Sequence, residues 1–273
     1  MKFVKMHGIG NDYVFADCMR EKLENPAQLS IRISDRHFGV GADGLILICP
    51  SERADCEMQV YNADGSYAQM CGNGIRCVGK YLYDNGYVRK DTVNIESGGC
   101  VRQLKLLLEN GVCTGARVDM GKPEIPGFPG REDPHVVLQA GGSAHRLTLV
   151  SMGNPHAVEF VKDPDVVEIS SVGREIECDE FFPDRTNVEF VQRIDAHTIK
   201  MRVWERGSGE TFACGTGAAA SAVASILNGY CDAGEITVHL KGGDLQIAWD
   251  GGDGNAFMTG PAAYVFEIKE LHI

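Results

Sequence analysis

Two short motifs carry the residue types that could do chemistry: Cys71-Gly72-x-Gly74 and Cys214-Gly215-x-Gly217. A thiol followed by small residues at the start of a helix is a reactive arrangement. Unpaired backbone N–H groups and the positive end of the helix dipole stabilise a thiolate there. The glycines leave those N–H groups uncovered, so an anion such as a carboxylate can dock on them. With one such unit on each side of a carbon, one thiolate removes an α-proton while the opposite thiol delivers another to the far face. Configuration inverts, and the reverse reaction exchanges the two roles. An α-proton beside a charged carboxylate is a very weak acid. The developing negative charge must therefore be met by preorganised dipoles in a water-excluded site.

Ten cysteines are present, and most read as small core hydrophobes. What separates these two is an internal duplication. Residues 58–87 lie over residues 201–230 with no gap, a shift of 143. Met58 falls on Met201, Val60 on Val203, Cys71 on Cys214 and Asn85-Gly86-Tyr87 on Asn228-Gly229-Tyr230. The same shift carries Gly10-Asn11 onto Gly153-Asn154. Cys77, six residues beyond Cys71, is expected in the core.

The elements that must hold these motifs read alike in both copies. An alternating strand leads through a polar loop to C-G-x-G, a helix follows, and Asn-Gly closes it. The second helix, AAASAVASILN, is apolar all round and must be buried on all sides. Its expected partner is a curled sheet built from segments such as 44–49, 101–108, 198–204 and 245–249. The Pro- and Gly-rich stretch 121–134 reads as the connecting loop. The fold class is thus α/β in the α+β sense: two pseudo-symmetric domains, each a curled mixed sheet around a central apolar helix.

Composition narrows the partners. The chain has 273 residues, a net charge of −12 and no basic run, which argues against nucleic acid and anionic membranes. No stretch nears the roughly 20 apolar residues of a membrane span. The N-terminal MKFVKMHGIGNDYVF has no leader pattern, so a cytoplasmic protein is expected. No C-x-x-C, H-x-H or H-E-x-x-H spacing occurs, so no metal is expected. No lysine-centred motif points to pyridoxal phosphate, and no cofactor is expected. Gly39-x-Gly41-x-x-Gly44 matches a dinucleotide fingerprint but is followed by the strand-like LILIC rather than a helix. Gly215-x-Gly217-x-x-Ala220 does open a helix, but no tight strand-to-helix turn precedes it. A nucleotide-binding oxidoreductase is disfavoured on both counts.

With those residues in view, the chain resembles the diaminopimelate epimerases over essentially its whole length. The resemblance rests on Gly8-x-Gly10-Asn11-Asp12, Tyr61-Asn62-x-Asp64-Gly65-Ser66, Cys71-Gly72-Asn73-Gly74-x-Arg76 and Gly153-Asn154-Pro155-His156. Thr186-Asn187-Val188 and Glu205-Arg206-Gly207-x-Gly209-Glu210-Thr211-x-Ala213-Cys214-Gly215-Thr216-Gly217 complete it. The resemblance implies cofactor-independent epimerisation of LL-2,6-diaminopimelate to the meso form, in lysine and cell-wall precursor biosynthesis, with Cys71 and Cys214 as the acid/base pair. The substrate carboxylate would meet Gly72-Asn73 and Gly215-Thr216. Asn11, Gly44, Asn62, Asn154, Asn187, Glu205 and Arg206 would line the pocket, and His156 and Glu205 would tune the sulfurs. Arg206 suits the second amino-acid head of such a substrate, because its planar fork matches a carboxylate.

Position 44 carries Gln in some members and Gly here, so a side-chain contact is absent. By the same resemblance the domains run 1–115 plus 262–273, and 116–261, with the last strand, 263–273, returning to the first. The chain would pair as a homodimer, with Phe266 at the contact where Tyr is usual. Proline or hydroxyproline racemases and phenazine-pathway isomerases are the alternatives of the same fold. The Asn/Arg pocket favours a two-headed substrate over compact proline.

Overall fold

The computed structural model describes residues 1–271 apart from 127, 129 and 131. The chain divides into two compact units, Met1–Val118 with Thr259–Ile273, and Asp119–Met258. Three residues of the expected connecting loop and the last two of the expected final strand lie outside the described residues.

The first unit begins with β1 (Lys2–Gly8), β2 (Asn11–Asp17), α1 (Pro26–Ser34), β3 (Gly44–Cys49) and β4 (Cys56–Asn62). It continues with β5 (Tyr67–Ala68), α2 (Gly72–Asp84), β6 (Thr92–Ser97), β7 (Cys100–Glu109) and β8 (Val112–Gly121). The sheet runs β1–β2–β3–β4–β6–β7–β8, with the β2–β3 and β4–β6 steps parallel and the rest antiparallel. Each parallel step is spanned by a helix, as a crossover requires.

The second unit contains β9 (His135–Ala140), β10 (Ser143–Ser151), β11 (Pro155–Phe160), α3 (Ile169–Glu177), β12 (Asn187–Arg193) and β13 (Thr198–Glu205). It then has β14 (Gly209–Glu210), α4 (Gly215–Leu227), β15 (Gly234–Leu240), β16 (Gly243–Trp249) and β17 (Ala256–Pro261). From β10 onward it repeats the first unit: β11–β12 and β13–β15 are parallel, and the neighbouring steps antiparallel. The shift of 143 carries α2 onto α4 residue for residue and the start of β3 onto the start of β12. The chain then returns to the first unit as β18 (Ala263–Ile268), antiparallel to β1. This strand is shorter than the expected 263–273: its pairing with β1 ends at Phe3↔Ile268.

Both cysteine-bearing helices end alike. Gly86 and Gly229 take positive φ (75° and 66°) just past the helix, where glycine adopts the left-handed conformation without strain. Gly86 N–H then donates to Tyr83 O and Tyr87 N–H to Leu82 O, and Gly229 and Tyr230 repeat the pair on Ile226 and Ser225. Helix α4 packs against β10, β11, β12, β13, β15 and β16 of its unit, and Gly217–Ser225 are all buried. Its two serines are satisfied inside: Ser225 Oγ donates to Ser221 O, and Ser221 Oγ to Met201 Sδ.

The outer helices decide what the central strands bury. In the first unit Leu45 and Leu47 of β3 pack with Ile33 of α1. In the second, Val188 and Phe190 of β12 pack with Ile169 and Ile176 of α3. With a helix on each face, every second residue of these strands points to the inner helix and is buried as well. Among them are Ile46 and Glu189, equivalent under the shift and both at 0% exposure. One is an ordinary core residue. The other is a carboxylic acid beneath the helix start that carries Cys214.

Candidate active site

In each unit the sheet delivers the expected residues to one end. Asn11 opens β2, Gly44 opens β3, Asn62 closes β4 and Cys71 caps α2. In the second unit Asn154 precedes β11, Asn187 opens β12, Glu205 closes β13 and Cys214 caps α4. These are the same four positions under the shift of 143. Parallel β2–β3 and antiparallel β3–β4 pairing bring Tyr13, Gly44 and Asn62 into one row. In the second unit the register places His156 beside Asn187, one pair from Val188 and Trp204.

Both cysteines are true N-caps. Cys71 is extended (φ −136°, ψ 109°), and its sulfur accepts from Gly74 N at 3.2 Å. Cys214 (φ −119°, ψ 112°) accepts from Gly217 N at 3.4 Å. Sulfur thus takes the place usually held by a capping oxygen and sits at the positive end of the helix. The backbone at Gly72-Asn73 and Gly215-Thr216 forms the first turn of each helix. Cys77 is buried, and burial raises its thiol to about 12.

The side chains around the two sulfurs differ. In the first unit Asn11 Nδ2 donates to Asp43 Oδ2 (2.8 Å), which turns its carbonyl toward Cys71 Sγ (3.5 Å) and Asn73 Nδ2 (3.3 Å). Asn73 Oδ1 in turn accepts from Arg76 Nη2 at 2.9 Å. Arg76 is fully buried and also donates to Gly72 O and Pro261 O. Loss of water lowers its guanidinium to about 10. Asn62 donates to Ser66 Oγ at 3.0 Å. Gly44 is buried where a Cβ would fall 2.2 Å from Tyr61 O and 2.8 Å from the Tyr13 ring. The space of the missing side chain is therefore filled by the unit's own packing.

In the second unit Cys214 is buried, and its Sγ lies 3.5 Å from Thr216 Oγ1. Burial pushes its thiol well above the ordinary value, and the charges of Glu205 and Glu189 push the same way. Glu205 accepts from Thr211 Oγ1, and burial raises its carboxyl above the usual carboxylate range. His156 is fully buried between Glu189 Oε1 (2.6 Å from Nδ1) and Asn154 Oδ1 (3.1 Å from Nε2). Asn187 is held at both ends: Nδ2 donates to Pro155 O, and Oδ1 accepts from Arg206 N–H. The Arg206 side chain is exposed and donates to Asp184 O at 3.1 Å.

Sequence reasoning missed Glu189. Its signal was a lone acid inside the apolar strand V-E-F-V, where the first copy reads L-I-L-I. A cavity elsewhere on this unit, lined by Asp165, Lys200, Arg202 and Lys241, has its cations already matched by Asp165 and Glu210. Among the described residues no cluster of three or more His, Cys, Asp or Glu could hold a metal ion, and no helix is long and apolar enough to cross a membrane. The first dinucleotide-like match opens the strand β3; only the second opens a helix.

Solved structures of the same fold match at low identity. A predicted epimerase from Pseudomonas aeruginosa matches with a TM-score of 0.76 at 13% identity, over 100% of this chain and 99% of its own. A probable proline racemase from Agrobacterium radiobacter matches with a TM-score of 0.73 at 14% identity, over 98% and 92%. At that identity the likeness shows the fold alone. Sequence relatives are far closer. A diaminopimelate epimerase of Acetivibrio thermocellus is 48% identical over 98% of this chain and 97% of its own. One of Pelotomaculum thermopropionicum is 52% identical over 97% of each. The family model described as diaminopimelate epimerase matches residues 3–126 and 148–265, a span that takes in both capped cysteines. By its sequence over nearly its full length, and with a fold and paired helix starts to match, the chain belongs to the diaminopimelate epimerase family.

Proposed function

We propose that this enzyme interconverts LL- and meso-diaminopimelate by two-base proton transfer between Cys71 and Cys214, without pyridoxal phosphate or metal. The observation that carries the reading is the pair of N-capping cysteines at equivalent positions of a duplicated unit. Inversion needs one base and one acid on opposite faces of the α-carbon, and a duplicated half-site supplies two chemically identical groups. The substrate α-carboxylate binds the N–H groups of Gly72-Asn73 and Gly215-Thr216, which also meet the charge that develops as the α-proton leaves. Cys214 holds its proton more tightly than an ordinary thiol, so it suits the acid's role at the start of a turnover.

Asn11, Asn62, Asn154, Asn187 and Glu205 orient the amino-acid heads. Arg206, whose exposed side chain donates to the Asp184 carbonyl, turns to the distal carboxylate. The protein acts in the cytoplasm, in lysine and cell-wall precursor synthesis. It pairs as a homodimer through β18, where Val265 and Phe266 are exposed apolar residues.

The test is α-proton exchange in deuterated water against LL-diaminopimelate, meso-diaminopimelate, proline and 4-hydroxyproline. Exchange with inversion of diaminopimelate alone is expected. Exchange of proline in its place would overturn the substrate assignment, and inversion undiminished in Cys214→Ala would overturn the two-base mechanism.

A further inference from the structure

Glu189 has no role in the reading above, yet it is fully buried and its Oε2 makes no hydrogen bond. An unsatisfied buried carboxylate oxygen is costly and calls for an explanation. We propose that Glu189 is a positioning residue which, through His156, Asn154 and Thr216, sets the direction of the hydrogen bonds that end on the Cys214 sulfur. The proposal rests on Cys214 being one of the two acid/base groups.

The direction follows bond by bond. Glu189 Oε1 lies 2.6 Å from His156 Nδ1, and one proton is shared between them. His156 Nε2 faces Asn154 Oδ1 at 3.1 Å; an amide carbonyl only accepts, so Nε2 carries a hydrogen. That bond occupies the Asn154 carbonyl and turns its NH2 to Thr216 Oγ1, 3.3 Å away. An amide NH2 only donates, so the Thr216 oxygen accepts and its single O–H is left to point at Cys214 Sγ, 3.5 Å away. The chain thus presents a donor to the sulfur, which is what a thiolate needs.

The first unit shows what happens without the acid. Position 46 is Ile where the shift places Glu189, and Tyr13 stands where it places His156. There Asn11 gives its NH2 to Asp43, and the carbonyl faces Cys71. The first unit therefore presents an acceptor, which suits a thiol. The two relays, Asn11 to Cys71 and Asn154 through Thr216 to Cys214, have opposite polarity, while Glu205 remains an acceptor for the Cys214 thiol. In one state both sulfurs are matched: Cys71 has taken the substrate proton and donates to Asn11, and Cys214 has given its own and accepts from Thr216. Glu189 makes the duplicated site directional while the net proton count over a turnover stays unchanged. The charged groups facing Cys214 are Glu189 from β12, Glu205 from β13 and the His156 ring from β11.

The experiment compares Glu189→Gln, Glu189→Asp and Thr216→Val with the parent. The readouts are kcat and KM for diaminopimelate, thermal unfolding, and the pH midpoint of iodoacetamide alkylation of Cys71 and Cys214, followed separately by peptide mass. A midpoint reports ionisation irrespective of access. Glu189→Gln keeps the shape but removes the charge that fixes the relay. It should lower kcat by about 10²-fold, the lower end of what acid/base assistance contributes, with KM little changed. Its Cys214 midpoint should move down, because loss of the neighbouring negative charge outweighs loss of the oriented donor, and its Cys71 midpoint should stay in place. Glu189→Asp should restore part of kcat. Thr216→Val removes only the last donor and should move the Cys214 midpoint up. If Glu189→Gln unfolds below the assay temperature, the kcat of Glu189→Asp together with this opposite shift decides, and parent-like kcat in the Asp variant overturns the proposal. Parent-like kcat and an unmoved Cys214 midpoint in the Gln variant would overturn the proposal, as would equal shifts at both cysteines. Cys214→Ala, run alongside, reports separately on the two-base reading, since its retained activity would remove that premise.

Discussion

Gly74 and Gly217 sit three residues past the two cysteines, and an alanine at each probes the same geometry over a different floor. A Cβ on Gly74 would lie 3.3 Å from Cys71 Sγ and 2.4 Å from Ile46 Cδ1. A Cβ on Gly217 would lie 3.3 Å from Cys214 Sγ and 2.7 Å from Glu189 Oε1. The approach to sulfur is equal, so any difference between the variants comes from what lies beneath. Ile46 Cδ1 is the end of a flexible apolar chain, and turning it aside costs about 1–3 kcal/mol of overpacking. Against that, alanine in a helix gains up to about 1 kcal/mol over glycine. Gly74→Ala should therefore lose about 0–2 kcal/mol of stability, a fall in Tm of only a few degrees by the usual scaling of about 2–4 °C per kcal/mol, and keep most of its kcat. Glu189 Oε1 cannot turn freely, because it is held 2.6 Å from His156 Nδ1 in a fully buried pair. Displacing it weakens a hydrogen bond to a charged group, worth about 1.5–3 kcal/mol. Gly217→Ala should lose a similar amount of stability and, in addition, at least about 10-fold in kcat, since the polarising relay to Cys214 is part of the acid/base function. Thermal unfolding and steady-state kinetics on both variants give the answer. Equal kcat losses in the two would refute the reasoning, because they would mean that contact with sulfur, not the buried acid, governs the effect.

Cys71→Ala and Cys214→Ala should each lower kcat by about 10³-fold or more while unfolding as the parent does, since neither thiol can serve both faces; replacing Cys77 or Cys231 should cost packing and spare most turnover. Arg206→Lys should raise KM for diaminopimelate by about 10-fold or more, the worth of one charge-assisted hydrogen bond, with a smaller change in kcat; unchanged kinetics would place Arg206 outside the pocket. Glu205 gives a pH signature. Its folded carboxyl is raised, so the folded state binds more protons than the unfolded one above the ordinary carboxyl range. The penalty is absent below that range, where Glu205 is protonated in both states, and grows as pH rises toward the folded value. Glu205→Gln, which can still accept from Thr211, should therefore unfold later than the parent at pH 7, and the gap should close near pH 4; a gap independent of pH would show that ionisation is not its source.

Much of this was legible in the sequence because duplication prints the same positions twice. The shift of 143 aligns α2 with α4 and matches Asn11 with Asn154, and the structure puts the two asparagines at equivalent ends of equivalent strands. The all-round apolar character of α4 predicted its burial within a sheet, and Gly217–Ser225 are buried. The extent of β18 was not legible, since its end is set by where its pairing with β1 stops, at Phe3↔Ile268. Gly44 was also opaque. Its sequence showed a missing side chain but not that Tyr13 and Tyr61 already fill the space.

The deeper gap concerns the places where the two copies disagree. Matching residues under the shift point to shared chemistry, so attention falls on the cysteines, glycines and asparagines that repeat. For the two-base transfer proposed, however, a symmetric pair of thiols is not enough, because one must hold a proton while the other does not. The groups that break the tie have to differ between copies, and a search for repeats discards them. Arg76 falls opposite Ala219, Tyr13 opposite His156 and Ile46 opposite Glu189. The first unit thus buries a cation behind its cysteine, and the second buries a carboxylate. Arg and Glu are rarely fully buried, and then only with partners; Arg76 has Asn73 and two backbone carbonyls, and Glu189 has His156. Residues that break the repeat and bury a charged side chain are where a duplicated fold acquires direction.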